Sequence, residues 1–190
     1  EVSIVDAANP MVFVKSKDIG LTGIETPEEI DNNQEILCIL EEIRAKAAQR
    51  IGMVEDWTQA KEKSPAFPMI AFVSPAADYK DFTTGKQILG EEVDFVSRLM
   101  FMQIMHKTYA GTGTICTGAA ARIKGTVVNE VMLEKDMGNT SVLRIGHPAG
   151  VITIDVEADN EGGSWYLQKA AISRTARRIM DGYCYIPKEG

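Results

Sequence analysis

Residues 110–125 combine a cysteine, threonines and glycines in a pattern suited to chemistry. The segment reads Ala-Gly-Thr-Gly-Thr-Ile-Cys-Thr-Gly, continues with three alanines, and ends a helical pattern at Gly125. We expect Cys116, Thr117 and Gly118 to form the first turn of a helix. A helix amino terminus presents unpaired N–H groups and a positive dipole end, so it binds carboxylates and phosphates. The same field lowers the pKa of a thiol, so Cys116 can act as a thiolate base or as the acid that returns a proton.

The same residues also allow a purely structural interpretation. Thr112, Thr114 and Thr117 carry hydroxyls that can bind a carboxylate or cap the helix. A cysteine beside alanines is commonly a small buried hydrophobe. The pattern is not a Walker loop, because the required lysine is missing, and no long parallel-strand unit surrounds it as a dinucleotide fingerprint needs. The residues alone therefore leave both interpretations of Cys116 open.

The remaining chemistry-bearing residues are scattered. His147 lies in a turn, residues 146–150, from which it can contact a substrate, although a turn histidine is more often simply exposed. His106 sits in an apolar stretch and is interpreted as a hydrogen-bonded structural residue. Cys38 is predicted to lie in the core and Cys184 to pack within a strand. A late arginine group is interpreted as a solvated charge cluster, with carboxylate binding as the alternative: Arg174, Arg177 and Arg178.

Composition narrows the class of protein. The chain has 190 residues, a formal charge of −7 and a pI near 4.9, which argue against a broad surface for nucleic acid or anionic membranes. No apolar run is long enough to span a bilayer. Three widely spaced cysteines suggest neither a disulfide framework nor a metal site, so a reducing cytoplasm is predicted. The chain opens at Glu1 without a basic signal region, which suggests a fragment or a trimmed form.

The elements that must position these residues indicate an α+β fold. Residues 2–14 read as a strand broken at Asn9-Pro10, where a bulge or bend is expected. Thr26, Pro27 and Glu29 form a capping box that starts a helix predicted to run to Gly52. Ala119, Ala120 and Ala121 leave so little bulk that their helix can thread through a curved sheet. Further strands are predicted over residues 69–73, 142–145, 151–156, 165–172 and 183–186, with a hairpin turn at 160–163, whereas 93–109 fits strand or helix.

Four blocks of the sequence together resemble the PrpF family. They are "VSIVDAANPMVFVKSKDIGLTGIE", "RLMFMQIMHKTYAGTGTICTGAAARIKGTVVNE", "LRIGHPAGVITIDVE" and "SRTARRIMDGYCYIP", and they occur in the family's order. Mainly residues 33–90 match weakly. The resemblance is to the carboxy-terminal half of these proteins, so it implies that residues 1–190 form one lobe and that an amino-terminal lobe of similar size is absent.

This resemblance implies a fold and a site. PrpF proteins are related to diaminopimelate epimerase, in which each lobe is a curved, mostly antiparallel sheet around a central helix. The active site of that enzyme lies between the lobes, at the amino ends of the two central helices. Cys116 would match the second of the epimerase's two catalytic cysteines. Asn9 would match an Asn-Pro element that binds substrate, and Thr114, Thr117, Gly118 and His147 are the further predicted contacts.

The resemblance also implies an activity. PrpF-type enzymes move protons on methylaconitate, methylitaconate or oxalomesaconate, so an isomerase of small unsaturated di- or tricarboxylates is predicted. The chemistry requires an acid/base group, anion donors and a dry cleft, without a metal or organic cofactor. The predicted partners are the carboxylate substrate and the protein's own amino-terminal lobe, and homo-oligomers are left open. The alternatives are a non-catalytic carboxylate-binding or assembly lobe, a cysteine hydrolase using a histidine base, and an amino-acid epimerase.

Overall fold

A curved eight-stranded sheet organises the chain. The computed structural model describes residues 1–132, 140–173 and 176–187. Along the sheet the order is β1-β2-β3-β6-β8-β9-β10, with β7 beside β6. Neighbours are antiparallel except for the pairs β2–β3 and β6–β8, so the predicted mostly antiparallel sheet is confirmed. The strands are β1 (Val2–Ala7), β2 (Asn9–Lys15), β3 (Met69–Pro75), β4 (Tyr79–Lys80), β5 (Gln87–Ile88), β6 (Phe95–Phe101), β7 (Ile104–Met105), β8 (Val142–His147), β9 (Gly150–Glu161) and β10 (Ser164–Ile172), of which β4 and β5 form a separate pair.

The inner side of the sheet holds a central helix. This helix, α4 (Gly111–Arg122), contacts β1 and β2 at one end of the sheet and β9 and β10 at the other. It is followed by α5 (Val127–Met132). The three alanines of α4 are buried, and Gly118 lies so close to β9 that a Cβ there would be 3.0 Å from Ile154 Cδ1. Small side chains thus let strands approach the helix from several sides, as the sequence predicts.

The outer side of the sheet is covered by a second helical layer. It consists of α1 (Pro27–Asp31), α2 (Gln34–Arg50) and α3 (Ala60–Lys63), with short 3₁₀ turns at Ser16–Ile19, Trp57–Gln59 and Gly90–Glu92. Successive residues of a strand face opposite sides of its sheet. Accordingly, Met11 and Phe13 point into the inner core, whereas Val12 and Val14 pack outward against Leu40 of α2.

The predicted first helix is two helices. Its capping box is confirmed, since the Thr26 side chain accepts a hydrogen bond from Glu29 N–H and the Glu29 carboxylate accepts one from Thr26 N–H. Its continuity is wrong: α1 ends after one turn, and Asn33 caps α2 by accepting a hydrogen bond from Ile36 N–H at 3.2 Å. An asparagine side chain competes with helical backbone bonds, which makes it a better cap than an interior residue. Gly52 follows the end of α2 with φ +78°, as predicted.

Two ambiguous segments resolve into hairpins. The break at Asn9-Pro10 is a tight reversal between β1 and β2, with Ala8 in the left-handed region at φ +70°, and not a bulge or bend within one strand. Residues 93–109 contain β6 and β7, joined through Met102 and Gln103, both also left-handed. Because β6 is buried along almost its whole length, its sequence lacks the alternation that identifies a half-exposed strand.

The strands around residues 142–172 form as predicted, but three further expectations are wrong. Cys38 is exposed, because the buried side of α2 is centred on Ile36 and Leu40 and a residue two positions from Ile36 faces away. Residues 183–186 form no strand, and Cys184 is exposed with them.

In the described part of the chain, no helix is long and apolar enough to cross a membrane.

Candidate functional site

The central helix begins five residues earlier than the sequence suggests. Ala110 is its cap residue, α4 starts at Gly111, and its first backbone bond runs from Thr114 N–H to the Ala110 carbonyl at 2.7 Å. Among the described residues no side chain caps this end. The N–H groups of Gly111, Thr112 and Gly113 therefore precede the first helical bond and point out of the helix end. Glycine and threonine have low helix propensity, which made these residues look like a turn, but tertiary packing overrides propensity.

Gly113 explains how the helix start fits against the sheet. A Cβ at this position would lie 2.6 Å from Cδ1 of Leu99 on β6, so any larger residue would force the Leu99 side chain to shift. Leu99 is completely buried, and its side chain has little room to move aside. The glycine between the two threonines is thus a packing residue that fixes where the amino end of α4 lies.

Asn9 meets the helix start through Thr112. Its Nδ2 donates a short hydrogen bond to Oγ1 of Thr112. Asn9 follows the left-handed Ala8 in the β1–β2 hairpin and is half-buried, while Thr112 is exposed. Because the Thr112 oxygen accepts from Asn9, its own hydroxyl proton can donate to another acceptor. This Asn9–Thr112 corner combines a hydroxyl, an amide oxygen and the free helix N–H groups. The sequence predicts Asn9 as a contact and offers Thr112, with Thr114 and Thr117, as a hydroxyl that can bind a carboxylate or cap the helix.

Three predicted contacts are turned away from this corner. Thr114 is buried, and its hydroxyl donates to the Ala110 carbonyl of the preceding turn at 3.0 Å. Thr117 is also buried. Gly118 packs against Ile154. The predicted placement of Thr117 and Gly118 in the first turn is wrong because the helix starts at Gly111, which puts both in the second turn and inside the core.

Thr117 belongs to a buried hydroxyl chain. Its Oγ1 lies 2.9 Å from the Tyr109 hydroxyl, which in turn lies 2.7 Å from Ser97 Oγ on β6. Burial raises the pKa of Tyr109 to about 12, against the opposing effect of these two hydrogen bonds. The phenol therefore stays protonated. Since Tyr109 immediately precedes the cap residue, these hydrogen-bonded hydroxyl groups link the first turns of α4 to the sheet.

Cys116 lies in the core and not at the helix start. Its side chain is 0% exposed, and Sγ donates to the Val5 carbonyl at 3.3 Å. Burial raises the pKa of this thiol to about 12, in the direction opposite to that expected from a helix dipole. At neutral pH the residue is a thiol packed against β1. Its acid/base role stays a prediction, and its burial counts against that role.

His147 is buried where an exposed turn residue was the simpler expectation. It ends β8, and its Nδ1 accepts a hydrogen bond from Ala149 N–H at 3.2 Å. Burial and the nearby Arg98 guanidinium lower the pKa of His147 to about 4, so the imidazole is neutral at pH 7. Arg98 is itself buried, donating to the carbonyls of Glu25 and Ser97. A neutral histidine in this setting can act as a hydrogen-bonding group.

The other singled-out residues contribute nothing to the corner. His106 accepts from Thr108 N–H at 3.2 Å, as expected of a structural residue. Arg177 and Arg178 are exposed, which fits the solvated interpretation, and Arg174 lies outside the described residues. All three cysteines are free thiols.

Fold and site together define an α+β protein whose buried central helix has an uncapped amino end beside Asn9 and Thr112. A comparison with protein-family models matches residues 1–187 to the family described as PrpF protein. The chain belongs to the PrpF family.

Individual relatives agree with this family. The chain is 57% identical over 188 residues to 3-methylitaconate isomerase of Eubacterium barkeri, covering 99% of this chain and 48% of the relative. It is 34% identical over 186 residues to 2-methyl-aconitate isomerase of Shewanella oneidensis, covering 98% and 46%. A crystal structure of methylitaconate-delta-isomerase superposes with a TM-score of 0.86 at 57% identity, over 96% of this chain and 46% of that one. The chain spans about half the length of the curated relatives it matches.

Proposed function

We propose that this chain is the carboxylate-binding lobe of an isomerase that moves protons on small unsaturated di- or tricarboxylates. The observation that carries the proposal is the Asn9–Thr112 corner, where an outward hydroxyl adjoins the uncapped amino end of α4. Such a site favours a carboxylate through directed N–H groups and the helix dipole. Similarity to 3-methylitaconate isomerase supports methylitaconate as the first substrate to test.

The corner would act on charge, not on the proton itself. Removing a proton next to a conjugated carboxylate delocalises negative charge onto the carboxylate oxygens. Donors fixed beforehand at Thr112 and the first N–H groups of α4 would bind that charge more strongly as it develops, which lowers the barrier. Delocalisation also turns a double bond into a rotatable single bond, so geometric and positional isomerisation can share this step.

The proton-transferring groups belong, in this proposal, to a second lobe facing the corner across a cleft. Cys116, the predicted acid/base, is enclosed between α4 and β1 and has a raised pKa. His147 is neutral and bonded to its own turn. The lobe would thus supply binding and charge stabilisation, and no cofactor is required for the proton shift.

The proposal is tested with the protein encoded by the complete reading frame, whose reaction is followed by proton NMR in D₂O. Methylitaconate, methylaconitate and oxalomesaconate are each added, and double-bond position and deuterium incorporation are followed over time. We expect isomerisation with deuterium uptake for at least one acid, unchanged after dialysis against EDTA. Absence of both signals for all three acids, from a folded protein, contradicts the isomerase assignment.

A non-catalytic binding lobe is the second candidate. The observation in its favour is that Cys116, the acid/base predicted in this lobe, is buried. This candidate predicts that the protein of the complete reading frame binds the same acids, as measured by calorimetry. The bound acids would take up no deuterium. Binding accompanied by uptake rejects it.

A further inference from the structure

Two half-buried phenylalanines lie at the edge of the sheet where α4 begins. Phe101 is the last residue of β6, and Phe67 lies two residues before Met69, the first residue of β3. Both side chains pack against the inner core, on the side of the sheet that holds α4. The other phenylalanines of this core among the described residues, Phe13 and Phe95, are completely buried. Phe67 and Phe101 therefore keep part of their apolar surface accessible at this edge.

The strand register places Phe67 at the same edge of the sheet as Asn9. β2 and β3 run parallel, with Met11 opposite Met69. Asn9 and Phe67 each lie two residues before these paired positions, so both lie where the two strands begin. The phenylalanine thus neighbours the strand that carries the amide of the Asn9–Thr112 corner.

Phe101 reaches this edge from the other side of β3. β6 runs antiparallel to β3 with Met100 opposite Ile70, so the next residue of β6, Phe101, lies beside the start of β3. The first turn of α4 packs on the same place, since a Cβ at Gly113 would lie 3.6 Å from Cε of Met69. Both phenylalanines therefore border the strand end on which the helix start rests.

The backbone that carries each ring is well fixed. The Phe67 carbonyl accepts hydrogen bonds from the Ser64 hydroxyl at 2.7 Å and from the Arg44 guanidinium at 3.1 Å. Phe101 pairs with Ile104 in the β6–β7 hairpin. Apolar surfaces that are fixed beforehand bind a ligand at a lower entropic cost than mobile ones. An apolar wall beside a few polar groups is also the usual composition of a small-molecule site.

We propose that Phe67 and Phe101, the phenylalanine pair, pack against the carbon skeleton of the acid whose carboxylate binds at the Asn9–Thr112 corner. This inference rests on the proposed function. A dicarboxylate with alkyl or alkylidene substituents has an apolar middle between its charged ends, and removing that middle from water stabilises the complex. The pair thus determines specificity: it selects substituted dicarboxylates over unsubstituted ones.

Calorimetry with two unreactive acids tests the phenylalanine pair. The protein encoded by the complete reading frame is titrated with 2,3-dimethylsuccinate, the saturated analogue of methylitaconate, and with succinate, which lacks both methyl groups. We expect dimethylsuccinate to bind about tenfold more tightly, as two buried methyl groups would allow. Phe67→Ala and Phe101→Ala should each lower this ratio at least about threefold. Phe82→Ala, at a partly exposed position between β4 and β5, is the control and should leave the ratio unchanged.

Several results would overturn this inference. Equal affinities of the unmodified protein for the two acids, or an unchanged ratio in both alanine variants, exclude the phenylalanine pair from binding. Equal weakening of both acids also overturns it, because the rings would then serve general packing. If the alanine variants fail to fold, Phe67→Leu and Phe101→Leu should still weaken dimethylsuccinate more than succinate, and no difference refutes the inference.

Deuterium uptake by methylitaconate, methylaconitate and oxalomesaconate, measured on the unmodified protein, separates the two proposals. Absence of uptake from all three acids contradicts the proposed function. Uptake together with an unchanged ratio in the phenylalanine variants contradicts only the specificity role of Phe67 and Phe101.

Discussion

Nδ2 of Asn9 donates a hydrogen bond to Oγ1 of Thr112, joining two residues 103 positions apart. The contact links the hairpin between the first two strands to the first turn of the central helix. It also orients the threonine, since an oxygen that accepts from Asn9 directs its own proton elsewhere. Two predictions address the two halves of this contact.

Asn9→Asp places a negative charge at the predicted anion site with little change in shape. We expect KM for the carboxylate substrate to rise about tenfold or more, because a like charge within a few ångströms is worth at least about 1.4 kcal/mol in a partly buried setting. Steady-state kinetics of the complete product measure this. Asn32→Asp, an equal charge change on the exposed outer layer, is the control, and a similar rise for both would contradict a local effect.

Thr112→Val removes the outward hydroxyl and keeps the side-chain shape. We expect kcat/KM to fall about 10- to 100-fold, since a hydrogen bond to a charged group contributes about 1.5–3 kcal/mol. Thr153→Val, at an exposed position on β9, should have little effect. Unchanged kinetics in Thr112→Val would exclude its hydroxyl from substrate binding.

Cys116→Ala tests the buried thiol. We expect turnover to stay within about threefold and the free energy of unfolding to drop by about 1 kcal/mol, as for a small core truncation. In the native protein Cys116 should resist thiol reagents that modify Cys38, because it is fully buried. A loss of turnover by orders of magnitude with an intact fold would instead establish the acid/base role predicted from the sequence.

Tyr109→Phe breaks the hydroxyl chain beneath the helix start. The substitution leaves the buried hydroxyls of Ser97 and Thr117 without their shared partner, so the free energy of unfolding should fall by about 1–3 kcal/mol in urea denaturation. The control Tyr166→Phe removes a half-exposed hydroxyl and should be neutral. An unchanged free energy of unfolding for Tyr109→Phe would show that the chain of hydroxyl groups does not stabilise the helix.

His147 should make the fold sensitive to acid. Its pKa is about 4 when folded against 6.5 as the reference value, so the unfolded chain binds more protons between these limits. The contribution of His147 to the free energy of unfolding is then fully present above about pH 6.5 and is lost as the pH falls toward 4. The loss is at most about 3 kcal/mol, at 1.36 kcal/mol per pKa unit. Urea unfolding at pH 7.5 and 4.5 should show the decline, and His147→Gln should reduce it. An equal decline in the variant would assign the effect to other groups.

The sequence predicts the fold well where packing is local or repetitive. The alanines of α4 predict a helix enclosed by a sheet, and the capping box at Thr26 predicts a helix start, because both depend on neighbours in the chain. The interruption at Asn33 and the strand identity of β6 were not predicted. An asparagine such as Asn33 can cap a new helix or continue an existing one, and the sequence does not tell which occurs. A strand buried on both faces, such as β6, lacks the polar–apolar alternation that identifies a strand.

The site was predicted only in part, for a similar reason. Asn9 and the segment around Thr112 were both selected from the sequence, and the structure brings them into contact, but the helix start was set five residues late. Gly113 permits a close approach to Leu99, and that approach allows a glycine- and threonine-rich stretch to be helical. Such a contact is invisible before the partner strand is known. The late start in turn placed Cys116 at a surface from which the structure removes it.

The helix held from both ends of the sheet has a consequence for folding. The helix contacts β1 and β2, within residues 2–15, and β9 and β10, within residues 150–172, so its complete packing requires both segments. A chain folded only in part would lack the complete Asn9–Thr112 corner, where we propose that a carboxylate binds. Binding of the proposed carboxylate to the folded chain alone would add RT ln(1 + [L]/Kd) to its stability by mass action. The supply of this carboxylate would then set how much protection against unfolding the protein gains beyond its own packing.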